Sequence, residues 1–156
     1  MTISAETLKQ YIESIYPPGL KKWIVPYSYT VTFTALAAAG NAIQTLTMQA
    51  NADFVHTRIG FKANVAAAAQ TSSTIVVPQV RLLITDTGTN EQYSNAQVDL
   101  STLATAGIGM PTITELPYPR FVAGRSSLLL NMTSYEAANT LNVDVVLTGV
   151  LVRAYN

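Results

Sequence analysis

Near the start of the chain, Leu8, Tyr11, Ile12 and Ile15 recur three and four residues apart in an otherwise polar segment, which predicts an amphipathic helix over residues 4–16. Ser4 is placed to cap it, Glu6 sits in the first turn where the helix dipole favours a carboxylate, and Ile3 can staple onto Leu8. Pro17-Pro18-Gly19 ends it. About twelve residues are too few to hold a helix in water, so the apolar stripe must dock. It can do so on the chain's own core or, as an exchanged arm, on a neighbouring subunit.

After Lys21-Lys22 the period changes to two. Tyr27, Tyr29, Val31 and Phe33 alternate with Ser28, Thr30, Thr32 and Thr34, as a half-buried strand requires, and the alternation assigns Tyr27 and Tyr29 to the core face. A second strand is expected at residues 43–49, across a connection at 37–41 that reads as a turn, with a short helix as the alternative. A third covers residues 54–63, with Val55, Thr57, Ile59, Phe61 and Ala63 on one face and His56, Arg58 and Lys62 on the other. Residues 66–73 read as a loop. Residues 74–77 and 80–85 are β-rich segments split by Pro78, which implies an edge or a bulge.

Asp86-Thr87-Gly88-Thr89-Asn90 is a turn, followed by a short strand near residues 91–94 and an irregular stretch from Asn95 to Pro119. Two long strands close the pattern, residues 126–132 and 141–152. The second is apolar on both faces from Val145 onward, which places it centrally in a sheet. Eight strands separated by Gly, Pro, Asn and Ser clusters, without alternating helices, predict an all-β antiparallel sandwich, with a jelly roll as the natural topology and one short N-terminal helix. No repeat of solenoid or propeller length is visible. Residues 1–22 are expected to form a helical arm and linker, and residues 23–156 a single domain.

Composition sharpens this. The chain is 49% hydrophobic but only 12% charged, about half the usual share. Such a surface has little charge to keep it hydrated, which points to assembly with other protein. Nine basic and nine acidic residues leave no net charge to attract a phosphate backbone or an anionic membrane. The absence of Cys excludes disulfides, thiolate metal sites and Cys nucleophiles. No apolar run approaches the roughly 18 residues of a membrane span, and the first residues lack the pattern of a secretory signal, so a soluble protein made in the cytosol is the expectation.

Chemistry is sparse. Leu82-Leu83-Ile84-Thr85-Asp86-Thr87-Gly88 is similar to the active loop of aspartic proteases, whose mechanism needs two carboxylates sharing a proton and so, from one copy, a homodimer. The apolar-apolar-Gly segment expected beneath that loop finds only Leu147-Thr148-Gly149, with a hydroxyl in the middle, and Asp, Gly and Asn are also what a tight β-turn uses. His56 is the sole His, which rules out a multi-His metal cluster in one chain; on the polar face of a strand it reads as structural. Gly107-Ile108-Gly109 lacks the rest of a phosphate-binding loop. The acidic residues are scattered rather than paired. Asn131-Met132-Thr133 fits a glycosylation sequon but reads as a strand end. Of eight Tyr and one Trp, Trp23, Tyr93 and Tyr118 lie in or beside loops and are the surface candidates for stacking on sugars or filling a partner's pockets.

From Ala52 onward the chain resembles the small jelly-roll structural proteins of tailed bacteriophages, the capsid cement, decoration and head-associated proteins. The residues that carry the likeness are Ala52-Asp53-Phe54-Val55-His56-Thr57-Arg58-Ile59, the Thr85-Asp86-Thr87-Gly88 turn, Leu116-Pro117-Tyr118-Pro119-Arg120-Phe121 with Ser126-Ser127-Leu128, Asn131-Met132-Thr133-Ser134-Tyr135, and Val146-Leu147-Thr148-Gly149-Val150. They cover about two-thirds of the chain as strand-and-turn patterns, and the N-terminal helix lies outside them. The resemblance implies a non-enzymatic virion protein, made in the host cytoplasm, that forms a symmetric oligomer and binds the major capsid protein, with no cofactor and no catalytic residue. The interface residues expected on this reading are Leu8, Tyr11, Ile12, Ile15, Trp23, Tyr93 and Tyr118. A receptor- or glycan-binding module of a phage tail or fibre is the alternative, using Tyr93 and Tyr118, and a dimeric protease built on Asp86 is the third.

Overall fold

The computed structural model describes residues 3–66, 69, 74–104 and 113–155. Helix α1 (Ala5–Ile15) is followed by strands β1 (Lys21–Leu36), β2 (Asn41–Thr47), β3 (Asp53–Val65), β4 (Val80–Asp86) and β5 (Val98–Asp99). A four-residue helix α2 (Leu100–Leu103) precedes β6 (Ile113–Val122), β7 (Ser127–Ser134) and β8 (Leu141–Tyr155). Two four-stranded sheets result, ordered β1-β8-β3-β6 and β2-β7-β4-β5. Strand pairs 1·8, 2·7, 3·6 and 4·5 are all antiparallel, as when one long hairpin of four strand pairs is wound over itself. That is the jelly-roll arrangement.

The core lies between the sheets. The alternating β7 residues Leu128, Leu130 and Met132 share one core with Leu141, Val143, Val145 and Leu147 of β8, and Phe33, Phe54, Leu82 and Ile84 of the flanking strands join it. β8 is central, paired with β1 on one side and β3 on the other, which explains its apolar outward positions. There Val150 and Val152 lie beneath α1. The helix seats Ile12, 2% exposed, on Val55 and Val152, with Leu8, Tyr11, Tyr16 and Phe121 around it. Ser4 caps the helix by accepting the Thr7 N–H. Both ends are tied down: the Ile3 N–H donates to Glu115, which pairs with Arg58, and the Tyr16 hydroxyl donates to Asp53, whose other oxygen accepts the Gly124 N–H.

Four features differ from the sequence expectations. First, β3 does not alternate throughout. A bulge between His56 and Arg58 inserts a residue and reverses the phase, so Phe54 and His56 share the inner face with Ile59, Phe61 and Ala63, while Val55 turns outward under α1. His56 is therefore 0% exposed rather than on a polar face. Second, residues 113–119, the end of the stretch expected to be irregular, belong to β6. As the outermost strand it needs no N–H from Pro117 or Pro119 on its free side. Third, residues 91–94 and 74–77 each contribute only an isolated bridge, Thr85 with Gln92 and Asn64 with Ile75; β4 pairs with β7 on one side and with β5 on the other. Fourth, Asn131 stands within β7, where its side chain accepts from Asn41 at 2.7 Å and from Gln97 at 3.3 Å. Gly107-Ile108-Gly109 and most of the 66–73 segment lie outside the described residues.

Gly149 of β8 faces the bulge. A methyl group built on it would stand 2.0 Å from the Val55 carbonyl oxygen, so the two strands pass closely only because no side chain intervenes. Gly149→Ala is expected to cost about 3 kcal/mol, at the upper end of overpacking penalties, read from the midpoint shift of a denaturant titration at constant slope.

Candidate binding cleft

The β3 bulge and the β6 prolines together open a cleft. On β3 only Thr57 separates His56, paired with Arg120, from Arg58, paired with Glu115, so residues 116–119 of β6 have one residue opposite them and arch away from the sheet. Their arch lifts Tyr118 into solvent, 68% exposed, where its ring meets Tyr11 of α1 edge-to-face at 6.0 Å. The opposite wall is the loop after β4. Asp86 is buried and its carboxylate accepts the Gly88 N–H at 2.8 Å, closing the expected turn, and Asn90 takes a positive φ of 59°. The Asp86 and Tyr93 N–H groups donate to the carbonyls of Glu91 and Ile84, folding the loop back so that Tyr93 reaches inward.

The cleft has a volume of about 420 Å³ and is lined by Tyr11, Asp86, Thr89, Glu91, Tyr93, Tyr118, Pro119, Arg120 and Phe121. Its floor is a stack. The Arg120 guanidinium sits 4.4 Å over the Tyr93 ring, Tyr93 packs on His56 with ring centres 5.7 Å apart, and His56 lies parallel to Phe54. The Arg58 carbonyl, 2.8 Å from Nε2, can only accept, so Nε2 carries the His56 proton; Nδ1 then accepts from the Tyr93 hydroxyl at 3.1 Å. Burial lowers the His56 pKa to about 4, aided by the nearby Arg120 charge, against the opposing hydrogen bond to Arg58. Burial likewise raises the Tyr93 phenol well above its ordinary value. This pair is neutral, and its polar atoms are satisfied by each other and by the backbone.

The seven residues expected at an interface fall in three places. Tyr11, Tyr93 and Tyr118 meet at the cleft, although Tyr93 is its floor rather than a surface ring. Leu8 and Ile12 face the chain's own sheet, and Ile15 is half-buried on the same helix. Trp23, 49% exposed, stands apart on β1 with Arg153 over its ring at 5.3 Å. Arg120, Phe121 and Glu91 carried no functional signal in sequence, because Pro119-Arg120 reads as loop until the edge strand is seen. Asp86 spends an oxygen on its own turn, and Gly149, which a protease would need beneath the Asp86 loop, lies in the other sheet against Val55. Among the described residues, no three His, Cys, Asp or Glu side chains are grouped to hold a metal ion, and no helix is long and apolar enough to cross a membrane.

No protein-family model and no curated protein sequence matches the chain. Similar solved structures include a Bacillus endospore appendage from a family of disulfide-linked pili, 12% identical over 87% of this chain and 92% of that one, with a TM-score of 0.33. The acid-stable capsid of Helicobacter pylori bacteriophage KHP30 supplies another, 10% identical over 86% of this chain and all of that one, TM-score 0.39. A third is dimeric latent PorU of Porphyromonas gingivalis, 9% identical, where 80% of this chain matches 13% of that one, TM-score 0.30. At these TM-scores the likenesses bear on neither topology, which rests on the strand order, nor function.

Because the folded His56 titrates near 4 and an unfolded one near 6.5, the unfolded chain binds the extra proton between these values, and stability falls as the pH falls through that window. Between pH 7 and pH 4 the native protein should lose about 3 kcal/mol more than His56→Gln, measured by denaturant unfolding of both at a series of pH values.

Proposed function

We propose that this chain is a non-enzymatic virion structural protein that self-associates and cements or decorates a capsid, its partners being further copies of itself and the major capsid protein. The observation that carries this reading is the outer face of the β2-β7-β4-β5 sheet. Three successive cross-strand rows have no charge: Ile43, Asn131 and Leu83; Thr45, Leu129 and Thr85; Thr47 and Ser127. Charge enters only in the last row, where Asn41 and Thr133 adjoin Arg81 and Asp99, and those two pair with each other at 3.1 Å. Ile43 is 54% exposed at the face's edge. A neutral face of this kind is cheap to desolvate and offers hydroxyl and amide groups that pair with another such face. It gives the low overall charge a location.

A second exposed aromatic pair, Trp23 of β1 and its diagonal cross-strand neighbour Tyr155 of β8, lies on the other sheet. Two separate surfaces let one copy touch a neighbour and a shell together, as cementing requires. The phage resemblance read from the sequence supports the virion setting.

Leu129 sits between Thr45 and Thr85 at the middle of the neutral face, so Leu129→Arg places an unpaired charge there without entering the core. The native protein is expected to sediment as an oligomer and the variant as a folded monomer, with at least about tenfold weaker association in analytical ultracentrifugation. A native protein that is monomeric at all concentrations would overturn the reading. In purified virus particles, quantitative mass spectrometry should find this chain at a copy number comparable to the coat protein; only a few copies per particle would overturn the cement role.

A further inference from the structure

We infer that the cleft between α1, the β6 arch and the loop after β4 is a carbohydrate-binding site, taking a short neutral saccharide. Its volume lies within the range of small-ligand sites. Its chemistry is mixed in the way a sugar requires. Tyr118 offers an exposed ring for the C–H face of a pyranose, braced by Tyr11, and Phe121 adds apolar wall. Asp86 and Glu91 bring carboxylate acceptors to the opposite side, and Thr89 a hydroxyl.

Arg120 supplies the donors. Its guanidinium sits over the Tyr93 ring and makes one long contact, 3.5 Å, to the Tyr93 carbonyl. Among the described residues the ion pairs are Arg58 with Glu115 and Arg81 with Asp99, so Arg120 has no carboxylate partner although two carboxylates line the same cleft. A guanidinium with N–H groups to spare, in a cleft that also holds carboxylate and hydroxyl acceptors, is matched by a ligand that both donates and accepts through hydroxyls. One positive group against two negative ones does not suit an anion. The aromatic platform suits a ring with an apolar face better than a simple cation.

The site is preorganised from below. The Tyr93 hydroxyl is committed to His56 and its ring supports Arg120, so the floor holds its geometry before any ligand arrives. From above it is joined to α1 through Tyr11, so an occupied cleft holds the helix to the sheet.

The test uses the intact protein and methyl glycosides of glucose, galactose, N-acetylglucosamine and rhamnose, followed by amide chemical shifts. At least one glycoside should give saturable shifts at residues 89–93 and 118–121 and at Tyr11. Tyr118→Ala, a change at an exposed side chain, should weaken that binding about tenfold, while Tyr118→Phe, which keeps the ring, should retain it. Amide exchange in α1 should slow in the presence of the bound glycoside and not in Tyr118→Ala. Shifts confined to other surfaces, no shifts with any of the four, or equal affinity in Tyr118→Ala would overturn the proposal. Leu129→Arg lies on the other sheet and should bind the glycoside like the native protein, so loss of self-association and loss of sugar binding are separately visible.

Discussion

The close approach of β3 to β8 at Gly149 governs most of what is specific to this molecule. β3 must supply apolar side chains to two environments, the core between the sheets and the underside of α1, and a strictly alternating strand cannot change which residues do so part-way along. The bulge at Thr57 makes that change. On one side of it Val55 turns out to meet Ile12 while Phe54 and His56 turn in; on the other, Ile59, Phe61 and Ala63 continue inward. The extra residue needs space, and the bare Cα of Gly149 provides it. The same irregularity frees residues 116–119 of β6 from pairing, so the seat of the helix, the burial of a histidine and the opening of the cleft have one common cause.

Polar groups enclosed by this arrangement are paired with unusual economy. His56 has both ring nitrogens occupied, one by a backbone carbonyl and one by Tyr93, which lets a titratable ring sit in an apolar core as a neutral group. Asp53 serves two elements at once, accepting the Tyr16 hydroxyl at the end of α1 and the Gly124 N–H before β7. Asp86 closes a turn. These carboxylates act as local fasteners, and on the β2-β7-β4-β5 face the two charges of the row at Arg81 and Asp99 neutralise each other.

Much of the architecture was legible in the sequence because it depends on period alone. The Tyr-Thr alternation of β1, the apolar run of β8 and the Ser4 cap of α1 each state a local preference that the fold keeps. What escaped was decided by neighbours. A bulge has no composition of its own, so the phase reversal at Thr57 put Val55 and His56 on the wrong faces. Pro117 and Pro119 argue against a strand unless its edge position is known. β5 is two residues long and carries no period. The cleft was visible only in part: Tyr11, Tyr93 and Tyr118 stood out as aromatic, but the partners that give them a shared use, Arg120 and Glu91, have meaning only once β6 lies beside β3.

The nested pairing of the jelly roll also fixes an order of events. β8 lies between β1 and β3, so the β1-β8-β3-β6 sheet has a gap at its middle until the strand latest in chain order has been synthesised. Lys21 pairs with Tyr155 and Leu36 with Leu141, contacts that span most of the chain and carry the loop-closure cost of distant partners. On the ribosome β1 and β3 must therefore wait with open backbone edges and apolar inner faces, and α1 without a complete sheet beneath it. The outer edge of β6 is protected differently, since Pro117 and Pro119 interrupt its row of N–H donors. Synthesis and folding are thus separate stages for this protein, and its exposure to other chains is greatest just before β8 arrives.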